Sequence, residues 1–122
     1  MQVAVCINFV NRREKISKSF AEADKFYIYN MNTGMLWDKI TNHFKYMIDK
    51  EIFCAQLLIK RGVYAVACGS CEDSAKVLFN EANIKVIENV VSKPSVFLND
   101  LLSESKISSL TSEFVYNGTQ IE

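Results

Sequence analysis

The chain has 122 residues, of which 14 are Lys or Arg and 14 are Asp or Glu, and its formal net charge is zero with the single histidine neutral. A chain of this length forms one domain and buries about two thirds of the surface that its unfolded form exposes. The balanced charge disfavours nucleic acid and acidic membranes as partners, because both bind through a basic face that displaces counterions.

The apolar opening, residues 3–10, predicts a strand. It has about half the length of a membrane span and lacks the charged region and cleavage site of a signal peptide. The four cysteines are too few and too scattered for a secreted disulfide scaffold. We therefore expect a cytoplasmic protein that does not enter a membrane.

The first half of the chain predicts three strands. Apolar and small residues alternate in residues 3–8, which is typical of a strand covered on both faces. The charged run Asn11-Arg12-Arg13-Glu14-Lys15 predicts a solvated loop. Two aromatic runs, residues 26–29 and 35–37, are separated by an Asn- and Gly-containing turn, so they should pair antiparallel. Residues 38–49 show no decisive pattern.

The second half alternates helices with strands. The apolar spacing of residues 50–61 predicts a helix that Gly62 ends. A strand over 63–67, a helix over 71–82 and a strand over 84–87 then form a parallel crossover, and Pro94 begins a third helix over 95–103. We expect a three-layer α/β domain over residues 1–104, with a five-stranded mixed sheet, followed by a frayed helix and flexible tail over 105–122.

The run Cys68-Gly69-Ser70-Cys71 presents two thiols at a strand-to-helix turn. Ser70 and Asp73 have the spacing of a capping box. The positive end of the helix favours ionised thiols, whereas nearby carboxylates oppose ionisation, so the direction of the pKa shift stays open. A C-x-x-C supplies only two of the four ligands of a closed metal site. If the first and fourth strands are neighbours, Cys6 brings a third thiol to the same crevice. The alternative is a tight turn of small residues without a ligand.

Other chemistry-bearing residues predict no catalytic set. His43 has no second histidine with which to form a helical zinc site, and Cys54 has the spacing of a small core residue. The phosphate-binding, dinucleotide and nucleophile-elbow motifs are absent from the sequence. Nucleotide-dependent and hydrolytic enzymes are therefore disfavoured, and we predict no catalytic residues.

Three runs of the chain point to a family: QVAV at residues 2–5, ISKSFAEADKFYIY at 16–29 and GVYAVACGSC at 62–71. Over residues 2–104 the chain resembles the dinitrogenase iron-molybdenum cofactor biosynthesis family, of the NifX type that also forms the C-terminal domain of NifB proteins. The resemblance implies a ribonuclease H-like fold with sheet order 3-2-1-4-5. It also implies a cargo, an iron-sulfur cluster that is a precursor of the nitrogenase cofactor, and cofactor-assembly proteins as partners.

The family's His-Phe-Gly run corresponds to Ser19-Phe20-Ala21 here, and its glycine-rich loop to the cysteine turn. Cys6, Cys68 and Cys71 would then be the metal ligands, and Gly69 and Ser70 would contact the cofactor, since thiolates suit iron. The expected function is that of a non-enzymatic accessory protein that carries an iron-sulfur or iron-molybdenum type cluster. The alternatives are a C-x-x-C dithiol oxidoreductase and a protein-interaction domain without a ligand.

Overall fold

The structure, a computed structural model, describes the backbone of residues 1–108 and the side chains of residues 1–101. No helix in this range is long and apolar enough to span a membrane. The predicted tail, residues 105–122, falls mainly outside the described residues. The elements in chain order are β1 (Gln2–Val10), β2 (Arg13–Ile16), β3 (Lys25–Asn30), β4 (Leu36–Thr41), α1 (Lys50–Arg61), β5 (Ala65–Ala67), α2 (Asp73–Glu81), β6 (Lys85–Ile87) and α3 (Pro94–Ser108).

The six described strands form one mixed sheet. β4, β3, β1, β5 and β6 lie side by side in that order, and β2 pairs with β1 off this path. β3 is antiparallel to β1 and β4, whereas β5 is parallel to β1 and β6. The prediction of a five-stranded sheet is therefore wrong in its number of strands. The proximity expected of the first strand and the strand before the cysteine turn is confirmed, because Val3 pairs with Ala65 and Val5 with Ala67.

The additional strand is β2, which the sequence predicted as part of a solvated loop. It pairs antiparallel with β1, with Val10 opposite Arg13. The two residues between the strands, Asn11 and Arg12, both have positive φ values, 53° and 66°. This conformation matches the right-handed twist of a two-residue hairpin. The prediction failed because the turn is made without glycine in a run of charged residues.

The remaining elements agree with the sequence prediction in type and differ at their ends. Strand β4 continues to Thr41, into the segment that had no prediction, and β5 and α2 are shorter than predicted. Helix α1 ends as expected at Gly62, which has φ 79° and donates its N–H to the carbonyl groups of Leu58 and Ile59. The left-handed conformation is accessible to glycine without strain, and it satisfies the last carbonyl groups of the helix.

The sheet is covered on both faces, so the three-layer expectation holds for the described residues. One core lies between the sheet and helices α1 and α2, where Cys6, Leu58 and Phe79 are fully buried. The second core lies between the other face and α3, where Val5 and Phe97 are fully buried. Strand β1 contributes alternate residues to both cores, because successive side chains point to opposite faces. It is the central strand that its sequence predicted.

Candidate functional site

The carboxyl ends of the parallel strands β1, β5 and β6 meet at one edge of the sheet, which is where open α/β sheets bind ligands. Backbone hydrogen bonds join the loops that follow β2, β5 and β6. Gly69 donates its N–H to the carbonyl oxygen of Ser17 at 2.8 Å, and Phe20 donates to Ser70 at 2.9 Å. Asn89 donates to the carbonyl oxygen of Gly69 at 2.7 Å. The cysteine turn, residues 68–71, is therefore held between two other loops.

Gly69 is required here by close packing. A Cβ atom at this position would lie 2.7 Å from the carbonyl oxygen of Lys18 and 2.8 Å from its Cα. Both are backbone atoms, so a side chain would have to displace the loop. Ser70 reinforces the same contact, because its hydroxyl group donates to the carbonyl oxygen of Lys18 at 2.9 Å. These two predicted cofactor contacts therefore fix the turn against the loop after β2.

The three candidate thiol ligands lie together. Cys6 and Cys68 are fully buried, Cys71 is 7% exposed, and all three belong to the core between the sheet and helices α1 and α2. The thiol of Cys68 hydrogen-bonds with the thiols of both Cys6 and Cys71. Cys6 thus faces the cysteine turn, as the proximity of the first and fourth strands led us to expect. The thiols line a packed interior and are not presented in an open crevice.

The pKa values of Cys68 and Cys71 are both raised, which is the direction of shift that the sequence left open. For Cys68 the main cause is its hydrogen bond with Cys6, to which burial adds. For Cys71 it is the hydrogen bond with Cys68, followed by burial and the carboxylates of Glu72 and Glu88. These thiols stay protonated at neutral pH, whereas the thiolate is the form that attacks disulfides or ligates a metal.

The capping box predicted for Ser70 and Asp73 is wrong. Helix α2 begins at Asp73 with Glu72 at its N-cap, and no side chain makes a capping hydrogen bond. The hydroxyl group of Ser70 instead donates to the backbone of Lys18. The sequence pattern could not reveal this, because the competing acceptor is more than fifty residues away in the chain.

A carboxylate directly after β6 holds the end of the cysteine turn. Glu88 accepts the backbone N–H of Cys71 at 2.8 Å. Its second oxygen lies 2.9 Å from the ammonium group of Lys76, on α2. The pair connects β6, the turn and α2 at one point, and it places negative charge where a thiolate would otherwise be favoured.

No group of three or more His, Cys, Asp or Glu side chains within the described residues is arranged to hold a metal ion. The thiol of Cys68 lies beside those of Cys6 and Cys71, and all three lie in a packed core. Metal ligation by these three residues stays a prediction, and it requires the turn to move.

An open pocket of about 630 Å³ lies on the other side of the turn. We call it the carboxyl-edge pocket. Its lining includes three lysines and no carboxylate. The lining residues are Lys15, Ile16, Lys18, Gly69, Ser70, Asn89, Val90, Val91, Ser92 and Lys93. The three lysines suit an anion, because their positive charges border an accessible space.

The sequence missed the lysines of this pocket. Lys15 lies in the run that the sequence predicts as a solvated loop, and Lys93 lies far from the cysteine turn in the chain. The sequence signal available for a cationic site was the basic run before β3.

The two residues for which the sequence predicted no functional role, His43 and Cys54, behave as predicted. His43 is exposed, and Cys54 is a buried core residue whose thiol donates to Asn42 at 3.3 Å. Burial raises the pKa of Cys54 to about 12.

Comparison with known families decides the relationship that the sequence suggested. The family model described as dinitrogenase iron-molybdenum cofactor matches residues 1–103, most of the chain. The chain belongs to this family. Among curated proteins, none matches it.

Solved structures similar to this family member share its fold. The apo form of the orange protein from Desulfovibrio gigas has a TM-score of 0.69 and 20% identity, over 82% of this chain and 88% of that one. A protein from Thermotoga described as a NifB protein of the DUF35 family has a TM-score of 0.67 and 21% identity, over 86% and 89%. A protein from Methanocaldococcus jannaschii described as a dinitrogenase has 0.62 and 17%, over 84% and 88%. At these identities the likeness establishes the fold alone.

Proposed function

We propose that this protein is a non-enzymatic accessory protein that binds and carries a metal-sulfur cluster, an iron-sulfur or iron-molybdenum type precursor of the nitrogenase cofactor. Membership of the family supports this cargo class. Cofactor-assembly proteins would be the partners that load and unload it. The ribonuclease H-like classification of the fold belongs to the same proposal.

The observation that carries the proposal is the charge of the carboxyl-edge pocket. Metal-sulfur clusters are anions, and the residues Lys15, Lys18 and Lys93 line a space with no carboxylate in its lining. Gly69 and Ser70 form part of its wall, and in this proposal they contact the cluster. A cluster can enter from solvent without any rearrangement of the core. Because the cations attract it from several sides, the pocket can hold the cargo reversibly.

A second binding mode uses the thiols. The thiol of Cys68 lies beside those of both Cys6 and Cys71, so thiolate ligation of a cluster needs only a local opening of the turn. Opening would break the hydrogen bond between Cys71 and Glu88 and would expose the buried core beneath it. It also requires deprotonation of thiols whose pKa values are raised. The geometry therefore favours electrostatic binding in the pocket, with thiol ligation as the competing mechanism.

The dithiol oxidoreductase alternative gains no support from the cysteine turn. An attacking cysteine in such an enzyme is accessible and has a lowered pKa. Here Cys68 is fully buried, Cys71 is nearly so, and the pKa of each is raised. The expected result is no catalysis of insulin reduction by dithiothreitol above the uncatalysed rate.

The test is anaerobic reconstitution with ferrous iron and sulfide, followed by desalting and measurement of iron content and visible absorbance. Reversing the charge of Lys93, which lines the pocket, by Lys93→Glu should lower the retained iron about tenfold, because it places an anion beside the cluster. Lys60→Glu changes the net charge equally on the exposed end of α1 and should retain iron as the natural sequence does.

A variant with Cys68→Ser and Cys71→Ser separates the two binding modes. Pocket binding predicts retained iron close to that of the unmodified protein. If the serine variant loses iron while Lys93→Glu retains it normally, the thiols and not the pocket bind the cluster. If none of the proteins retains iron or absorbs in the visible range, the carrier function itself is wrong and an interaction domain without a ligand remains.

A further inference from the structure

The hairpin of β1 and β2 separates its charges onto two faces. In the observed register Val10 lies opposite Arg13 and Asn8 opposite Lys15, whereas Phe9 lies opposite Glu14. Because side chains alternate along each strand, Arg13 and Lys15 share one face with Val10, and Glu14 lies on the other. A run that is nearly neutral as a sequence is therefore basic on one side once it folds.

The acidic residue of the hairpin already has a hydrogen-bond partner within the chain. Glu14 accepts a hydrogen bond from the hydroxyl group of Tyr27 on the opposite face. Among the ion pairs of the described residues, none includes Arg13 or Lys15. Both side chains are exposed, so their charges are available to a partner from outside the chain.

The basic face borders a groove of about 430 Å³, which we call the hairpin groove. Asn8, Val10, Lys15 and Lys18 contribute to its wall, and Glu22 also lines it. Val10 is 44% exposed and offers an apolar contact on this face, whereas the exposed Phe9 lies on the opposite face of the hairpin. The groove thus offers two cations, the apolar side chains of Val10 and Ile16, and one carboxylate.

We propose that the hairpin groove binds an acidic segment of a partner protein, one that carries an apolar side chain among its carboxylates. Charge complementarity selects the acidic residues, because Lys15 and Lys18 line the groove and Arg13 lies on the same face of the hairpin as Lys15. Val10 gives an apolar side chain of the segment a place to pack. A nucleic acid fits less well, since its unbroken row of phosphates would approach the carboxylate of Glu22 and would leave Val10 uncovered.

This interaction goes beyond the proposed carriage of a cluster and does not depend on it. Lys93, Gly69 and Ser70 line the carboxyl-edge pocket but not the hairpin groove, and Val10 lines the groove but not the pocket. The two cavities share the lining residues Lys15, Ile16 and Lys18. Variants at Arg13 and Lys93 can therefore report on the two sites separately.

The experiment is a fluorescence anisotropy titration with a short labelled peptide that alternates Glu and Leu. The unmodified protein should bind it, and binding should weaken as the salt concentration rises, because the contacts are exposed charges. Arg13→Glu should raise the Kd about tenfold. Lys60→Glu, which changes the net charge by the same amount as Arg13→Glu, should leave the Kd unchanged. Circular dichroism confirms that each variant is folded.

Each other outcome contradicts the proposal. Absence of peptide binding to the unmodified protein overturns it, as does an equal Kd for Arg13→Glu and Lys60→Glu. A labelled single-stranded oligonucleotide is titrated in parallel. If it binds more tightly than the peptide and loses affinity in Arg13→Glu, the groove is a nucleic-acid site and the proposed protein partner is wrong.

Discussion

Replacement of Gly69 by alanine should destabilise the folded protein by about 3 kcal/mol. The new methyl group would lie 2.7 Å from the carbonyl oxygen of Lys18 and 2.8 Å from its Cα, so the loop after β2 must move. Crowding of this kind costs about 1–3 kcal/mol. The movement also weakens the Gly69 hydrogen bond to Ser17 and the Phe20 hydrogen bond to Ser70, each worth about 1 kcal/mol.

The assay is equilibrium unfolding in urea, and the control is Gly62→Ala. Gly62 has a positive φ of 79°, but a Cβ atom there meets nothing within 4 Å. Its replacement should cost only the strain of the left-handed conformation, about 1 kcal/mol. If Gly69→Ala is no more destabilising than Gly62→Ala, the loops are not locked together as described and the reasoning is refuted.

Three further perturbations test other contacts by urea unfolding. Asn42→Ala should destabilise the protein by about 2–4 kcal/mol, because the buried amide donates to two backbone carbonyl groups that would be left unpaired; a cost below about 1 kcal/mol contradicts their burial. Glu88→Ala should destabilise the protein by about 1–2 kcal/mol and speed alkylation of Cys71, because the backbone N–H of Cys71 loses its acceptor. Unchanged alkylation would show that Glu88 does not hold the turn. Burial alone would raise the pKa of Asp24, but hydrogen bonds led by the one from Lys45 lower it below 3.8. The stabilisation by this carboxylate is therefore present at neutral pH and is lost as the pH falls below about 4. Asp24→Asn should make the free energy of unfolding less dependent on pH in that range, and an unaltered pH dependence counts against the ion pair.

Much of the fold was accessible from local patterns. The alternation in β1 predicted a strand buried on both faces, and the apolar spacing before Gly62 predicted α1 with its end. Both succeed because periodicity and a glycine cap act within a few residues. The hairpin of β1 and β2 was missed because Asn11 and Arg12 adopt positive φ values without glycine.

The candidate site was only partly predictable. The proximity of Cys6 and Cys68 followed from the expected neighbouring strands, and the structure brings their thiols into contact. Their burial and the resulting direction of the pKa shifts depend on helices packed from elsewhere in the chain. The lysine-lined pocket has no local signature, since Lys15 and Lys93 meet only through the folded sheet. The charge cluster that was interpreted as a solvated loop contributes a wall of that pocket.

The measurement that tests the central claim most directly is amide NMR mapping of the isotope-labelled protein during anaerobic addition of ferrous iron and sulfide. A cluster seated in the carboxyl-edge pocket should broaden the amide signals of Gly69, Ser70 and Asn89 while those of α1 stay sharp, because broadening by a paramagnetic centre falls steeply with distance. Signals that stay unchanged along this edge, or broadening confined to α1 and β4, would contradict the placement of the cargo.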